Sequence, residues 1–302
     1  MYTKILVPLD GSKLSETILP YARFLAGVVK ARVELLHAVD PEVISTFVSP
    51  KYGRYIDVVE ADMKQHSLDY LQPVASSFPE PSSVDCSAEI GKPAEVILKK
   101  ASTSDGTLIA MATHGRSGVQ RWVLGSVAIK VLHMSTNHLL LVRPSETIEV
   151  GGVASLKTAV VPLDGSRLAE KVLPYVTALA KHVGLDVVLL RVYALPASAY
   201  FATEEYTPDL PDLTAKMKSE AKDYLEGKVR QLQAEGLDRV SSVVLEGNAA
   251  GEIIDFARQT PDNLVAMCTH GRSGIGRWVL GSVTERVVCH SGDPVLVIRA
   301  RV

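Results

Sequence analysis

Short apolar runs recur along the chain, separated by stretches whose apolar positions fall three or four apart. The first run, Ile5 to Leu9, reads as a strand. A helix follows, with Ser12 as its N-cap and Leu14, Ile18, Tyr21 and Leu25 on one face. A second strand reads "RVELLHAV", and a long loop leads to a charged helix at roughly 57–76. Then come a strand "DCSAEI", a helix from near Ala94, and a fourth strand "GTLIAMA". A glycine-rich segment enters a last helix, and "HLLLV" closes the set as a fifth strand.

The same order then starts again. "ILVPLDGSKLSETILPYARFLA" from Ile5 returns as "AVVPLDGSRLAEKVLPYVTALA" from Ala159, with Ser166 in the cap position. "MATHGRSGVQRWVLGSV" from Met111 returns as "MCTHGRSGIGRWVLGSV" from Met267, with three differences. Asp10 matches Asp164 at an offset of 154, and Gly115 matches Gly271 at 156. Similar offsets mean that whole domains are duplicated. The domains are expected at 1–145 and 156–302, each large enough for its own core. Between them "PSETIEVGGVASLK", Pro144 to Lys157, reads as a linker or turn.

Strands alternating with helices, several of them apolar throughout, predict α/β architecture. Two tandem doubly wound domains are expected, each a mostly parallel five-stranded sheet with helices on both faces. In such sheets ligands bind beyond the carboxyl ends of the strands, where the strand order reverses. The strongest identity between the repeats lies at the ends of strands one and four. If those strands are neighbours, the duplicated residues converge on one crevice per domain.

Composition narrows the classes. The chain is 47% hydrophobic and 22% charged, as in ordinary globular domains. A net charge of −2 argues against a general nucleic-acid binder, which should be basic. No apolar run reaches the roughly 18 residues of a membrane span, and "MYTKILVPLDGS" has no signal-peptide core. The three cysteines, Cys86, Cys268 and Cys289, imply neither a disulfide framework nor a metal site. A cytoplasmic protein is expected.

The candidate chemistry lies in the repeated glycine segments. Their spacing is Ala112-x2-Gly115-x9-Gly125-Ser126 and Cys268-x2-Gly271-x9-Gly281-Ser282. Glycine lets backbone approach a ligand closely. A helix N-terminus offers unpaired N–H groups and partial positive charge, which suits phosphate. Arg116 and Arg121, with Arg272 and Arg277, add cationic charge. The segment is not a Walker A loop, because no Gly-Lys-Ser/Thr occurs. It is not the dinucleotide fingerprint, because the turn after strand one reads "LDGSKLS".

These motifs resemble those of the universal stress proteins, here two domains in one polypeptide. The family's ATP-binding signature, G-x2-G-x9-G-[ST], is matched in both copies from its second glycine onward. Ala112 and Cys268 replace the first glycine, and a left-handed backbone at either would be strained. The resemblance implies one nucleotide pocket per domain, with ATP as ligand and Mg²⁺ as its counter-ion. In the first, Pro8, Leu9 and Asp10 would line one wall, with Asp10 near the ribose or a nucleotide-bound magnesium. Ala38 would face the adenine. Met111, His114, Gly115 and Arg116 would form the other wall, and Gly125, Ser126, Val127 and Ala128 would hold the phosphates. In the second, Pro162, Leu163, Asp164 and Val192 would correspond to the first wall and the adenine contact. Met267, His270, Gly271, Arg272, Gly281, Ser282, Val283 and Thr284 would complete it. Ala128 against Thr284 removes a hydroxyl, so the pockets need not be equal.

Several residues also have simpler readings. Asp10 and Asp164 suit turn capping as well as ligand binding. His114 and His270 are expected to shape the loop through backbone hydrogen bonds. Catalysis would need a nucleophile and an orienting acid that the pattern does not supply. Trp122 and Trp278 read as packing anchors, and Cys268 as a small filler. The loops after strand two carry Tyr52 and Tyr55, or Tyr200 and Tyr206, as lid or partner-surface residues or as plain surface.

The resemblance implies an ATP-binding protein that senses or transmits nucleotide state in stress response and is not primarily an enzyme. The alternatives are a hydrolysing or adenylyl-transferring enzyme on the same fold, or a scaffold with empty pockets. Adenine nucleotide is the expected partner, without nucleic acid or membrane. Relatives with one domain commonly dimerise through the last strand, which implies an intrachain pseudo-dimer of "HLLLV" and "PVLVI" and leaves room for a further homodimer. Small-angle scattering of the full chain should therefore fit one compact particle. A two-lobed profile with variable separation would rule the docked arrangement out.

Overall fold

The computed structural model describes residues 2–47, 56–80, 83–114, 124–144, 149–195, 210–269 and 280–299. The chain divides into two compact units, Met1–Ser155 and Leu156–Val302.

In the first unit the strands are β1 (Lys4–Pro8), β2 (Arg32–Val39), β3 (Val84–Ile90), β4 (Thr107–Ala112) and β5 (His138–Val142). The helices are α1 (Lys13–Glu16), α2 (Leu19–Val29), α3 (Pro41–Phe47), α4 (Ile56–Ser76), α5 (Pro93–Ser102) and α6 (Ser126–Met134). The strands pair in parallel, in the order β3-β2-β1-β4-β5. β1 and β4 are therefore neighbours, and the order reverses between them. Right-handed crossovers to either side of β1 place the helices on opposite faces. α2 and α4 share one face: Tyr70 Oη donates to Glu16 Oε1 just before α2 (2.7 Å), and Arg23 Nη2 donates to Ser77 Oγ just after α4 (2.6 Å). α5 and α6 pack together.

The second unit repeats the plan with β6 (Thr158–Pro162), β7 (Asp186–Tyr193), β8 (Val240–Glu246), β9 (Asn263–Cys268) and β10 (Val295–Ile298). Its helices are α7 (Leu173–Val183), α8 (Leu210–Ala234), α9 (Ala249–Gln259) and α10 (Ser282–His290). The parallel order is β8-β7-β6-β9-β10. β4 and β9 are buried at every position, as strands covered on both faces must be. β3 and β8, at the ends of these orders, are partly exposed throughout and carry Asp85, Ser87, Glu89, Ser241 and Ser242.

The structure corrects the expected elements in two places. The helix after β1 is broken. α1 stops at Glu16, and Ile18 caps α2, whose second residue is Pro20. A proline ring clashes with the carbonyl four residues back and cannot continue one helix through that point. Ile18 and Leu25 are buried, while Leu14, on the short first piece, is 38% exposed. The loop after β2 contains α3, started by Asp40 Oδ1 accepting from Glu42 N at 2.9 Å. Tyr52, Tyr55, Tyr200, Tyr206, Trp122 and Trp278 lie outside the described residues.

The described part of the segment after β5 is tied down. Arg23, 4% exposed, donates from Nη1 to Val150 O (2.5 Å) and Gly152 O (2.9 Å) and lies 5.4 Å from the Phe78 ring centroid. Ala154 N donates to Pro20 O at 3.0 Å. Burial pulls the Arg23 guanidinium down from its usual range, opposed by the charge of Glu16. Further on, Lys157 pairs with Asp262 (2.6 Å).

The repeats also differ at one helix end. α7 closes on Gly184 in the left-handed region (φ 74), whereas α2 closes on Lys30 at φ 50. A side chain there meets a steric penalty that glycine avoids. Lys30→Gly should therefore stabilise the first unit by about 0.5–1 kcal/mol net of glycine's larger unfolded-state entropy. Urea titration checks this, and a lower midpoint would contradict it.

Candidate functional site

β1 ends in a turn built by its own polar groups. Asp10 Oδ1 accepts from Ser12 N (2.9 Å) and Ser12 Oγ (2.6 Å), and Gly11 turns the chain at φ 79. Ser12 Oγ in turn accepts from Ser15 N at 3.1 Å and caps α1. In the second unit Asp164 Oδ1 accepts from Ser166 N (2.9 Å), Gly165 lies at φ 86, and Ser166 Oγ accepts from Ala169 N (3.1 Å). Both aspartates thus cap turns, which fixes their carboxylates at the strand ends.

Across the reversal, the start of α6 is pinned to the end of β4. Gly125 N donates to Thr113 O at 2.9 Å. A Cβ on Gly125 would stand 3.2 Å from Thr113 O and 3.7 Å from His114 Cα. Glycine here favours close approach, since a Cβ would be tight against the backbone; its φ of −60° is ordinary. As the N-cap, Gly125 has no side chain to bond the first-turn N–H groups. The second unit repeats this, with Gly281 N donating to Thr269 O at 2.6 Å and Gly281 capping α10. Each helix start therefore turns its positive end to the crevice.

Ala112 and Cys268 lie within β4 and β9 and are not among the described residues with positive φ. Neither position needs glycine, and no strain follows from the replacements.

In the first unit these elements enclose a cavity of about 630 Å³. Pro8, Leu9, Asp10, Ala38, Met111, His114, Gly125, Ser126, Val127 and Ala128 all line it. In the second, Pro162, Leu163, Asp164, Val192, Met267, Gly281, Ser282, Val283 and Thr284 line a cavity of about 260 Å³. Gly115, Arg116, His270, Gly271 and Arg272 lie outside the described residues.

His114 Nδ1 sits 3.0 Å from Thr113 Oγ1, a side-chain hydroxyl rather than the expected backbone partner. Thr284 Oγ1 donates to Cys268 O at 2.9 Å, so its proton is spent on the strand beneath. The extra hydroxyl expected to distinguish the second pocket is therefore not a spare donor. Among the described residues no group of three or more His, Cys, Asp or Glu gathers as a metal site. No described helix is long and apolar enough to cross a membrane.

Sequence reasoning missed the wall that α4 supplies. Met63, Ser67 and Tyr70, at spacings of four and three, line the first cavity with His66 and with His37 of β2. A signal was present. Glu16 recurs as Glu170 within the first duplicated segment, Tyr70 recurs as Tyr224 in an otherwise divergent helix, and each pair is bonded, at 2.7 Å and 2.9 Å. Burial first, then the bond to Glu170, hold the Tyr224 phenol well above its usual range, so it remains a donor.

The architecture defines a class: a duplicated α/β protein with a crevice at the strand reversal of each unit. The profile of the Universal stress protein family matches residues 1–143 and 155–299, and the chain belongs to that family. A universal stress protein of Mycolicibacterium smegmatis is 23% identical over 302 residues, covering 98% of this chain and 97% of that one. One from Methanocaldococcus jannaschii is 31% identical over 144 residues, 47% of this chain and 82% of its own. The crystal structure of a universal stress protein from Archaeoglobus fulgidus matches the fold with a TM-score of 0.68 at 20% identity, covering 99% of both chains.

Cys268 is 5% exposed, and burial pushes its thiol up to about 12. In the unfolded chain a thiol ionises near pH 8.5. The raised folded value stabilises the fold below that pH, and the contribution is lost as pH rises towards 12. In a Cys86→Ser/Cys289→Ser chain, alkylation at pH 8 should be slow until denaturant is added. Rapid labelling of the folded chain would show that the thiol is accessible.

Proposed function

We propose that this chain binds ATP in the first cavity and in the matching site of the second unit. In this reading it acts in stress response through nucleotide-dependent sensing or signalling, not as an enzyme. The observation that carries the reading is the crevice at the β1/β4 reversal, closed by a helix start that has no side-chain cap. Phosphates would meet the N–H groups of Ser126 and Val127, where a glycine N-cap leaves room. The base would lie against apolar Ala38, Val39, Ile97 and Met111. Asp10 and Asp164 would face the ribose or a nucleotide-bound magnesium, which binds proteins through one or two carboxylates. The volume of about 630 Å³ suits a small-molecule ligand. An odd number of cysteines, Cys86, Cys268 and Cys289, with no metal-like spacing supports a reducing, cytoplasmic setting.

Calorimetry with magnesium ATP tests this on the full chain. Binding is expected, and Gly125→Val should weaken the first site by at least about tenfold, or 1.4 kcal/mol. No binding at millimolar ATP would end the nucleotide reading. Sustained hydrolysis above about 1 s⁻¹, lost in an Asp10→Ala/Asp164→Ala chain, would move the assignment to the enzyme alternative.

A further inference from the structure

The two cavities differ by more than half in volume, although Pro8, Leu9, Asp10, Met111, Gly125 and Ser126 recur unchanged as Pro162, Leu163, Asp164, Met267, Gly281 and Ser282. The offset of 154 sets Arg191 against His37, Tyr224 against Tyr70 and Gly165 against Gly11. In the first unit the His37 and Tyr70 rings meet edge-on, with centroids 6.0 Å apart, and both line the cavity. The space thus extends from the β1 turn to α4.

In the second unit Arg191 spans that distance. Its guanidinium carbon lies 4.8 Å from the Tyr224 ring centroid. Its terminal nitrogens come within 3.2 Å of where a Cβ on Gly165 would stand. A planar cation is thus held between an aromatic face and the bare backbone of the β6 turn, a geometry that suits guanidinium. The wall behind is braced: Tyr224 donates to Glu170 (2.9 Å), which pairs with Lys228 (2.8 Å). No described residue of α8 lines the second cavity, and its roughly 260 Å³ falls below the usual range for enclosed ligands.

We propose that Arg191 is a specificity-determining residue that closes the α8 side of the second pocket, so that it holds ATP much more weakly than the first. This rests on the nucleotide reading above. The two sites of one chain then fill at different nucleotide concentrations. The rival cause is the bulk that Val192, Cys268 and Thr284 add in place of Ala38, Ala112 and Ala128, with Val192 facing the expected adenine position.

Calorimetry with magnesium ATP on the full chain separates the possibilities. The unaltered chain should show one tight site and a second at least about tenfold weaker. Gly125→Val should remove the tight site and so assign it to the first unit. Arg191→His should bring the second site to within about threefold of the first, and His37→Arg should weaken the first by at least about tenfold. Val192→Ala alone should leave the second site weak. Thermal melts report folding, and if one exchange disturbs it the reciprocal exchange carries the result. Two equal sites in the unaltered chain, a second site opened by Val192→Ala alone, or affinities unmoved by both exchanges would overturn the role of Arg191 and leave nucleotide binding standing. No binding at any site would overturn the nucleotide reading itself, and this proposal with it.

Discussion

A parallel sheet extended to both sides of its first strand must part its connections somewhere. From β1 the chain builds β2 and β3 outward on one side, then returns to add β4 and β5 on the other. Right-handed crossovers force the helices of the two halves onto opposite faces. The loops leaving β1 and β4 therefore diverge, and a crevice opens between two adjacent strands. No side chain has to be arranged to create it. What the sequence adds is how near the two rims come. Asp10 and Ser12 hold one rim as a bonded turn. At the other, the missing Cβ of Gly125 lets α6 begin against Thr113 O. An added Cβ would crowd Thr113 O and shift the helix start relative to β4 by a few tenths of an ångström.

Arg23 shows a different use of buried charge. A guanidinium at 4% exposure would be costly without partners. Here two carbonyls of the segment after β5, the Ser77 hydroxyl and the Phe78 ring supply them. The matching residue in the second unit is Thr177. In the first unit the arginine holds the chain that leaves β5, and 150–154 packs as part of that unit's own surface.

Much of this was legible in the sequence because apolar runs and duplication report burial directly. Five strands per unit follow from runs such as "TLIAMA" and "NLVAMC", each buried at all six positions. The neighbouring of β1 and β4 was legible only indirectly, from where the identity between the copies is concentrated. Other features were hidden because they depend on tertiary contact. The α4 wall contributes Met63, Ser67 and Tyr70 from a helix of mixed polar and apolar residues, and the pattern says little about which flank meets a cavity. The break before Pro20 was available in principle, but the apolar positions 14, 18, 21 and 25 continue the helical period across it. Periodicity alone cannot report a lost backbone bond.

Duplication explains why the difference between the pockets escaped the motif. Identity concentrates in the segments that set backbone approach, so the glycine starts of α6 and α10 are the same. The side walls carry no such backbone demand and are free to diverge. At the position held by His37 and Arg191, the exchange replaces a compact ring with a long planar cation. Tyr70 and Tyr224 are unchanged beside it, and each remains bonded to its glutamate. The aromatic wall therefore serves two neighbours: it meets a histidine edge in one unit and carries an arginine across its face in the other. Gly165 completes the second arrangement, since a side chain at that turn would crowd the guanidinium. A glycine needed first for a left-handed turn thus also provides the space that lets one arginine alter the pocket while the strands around it stay in register.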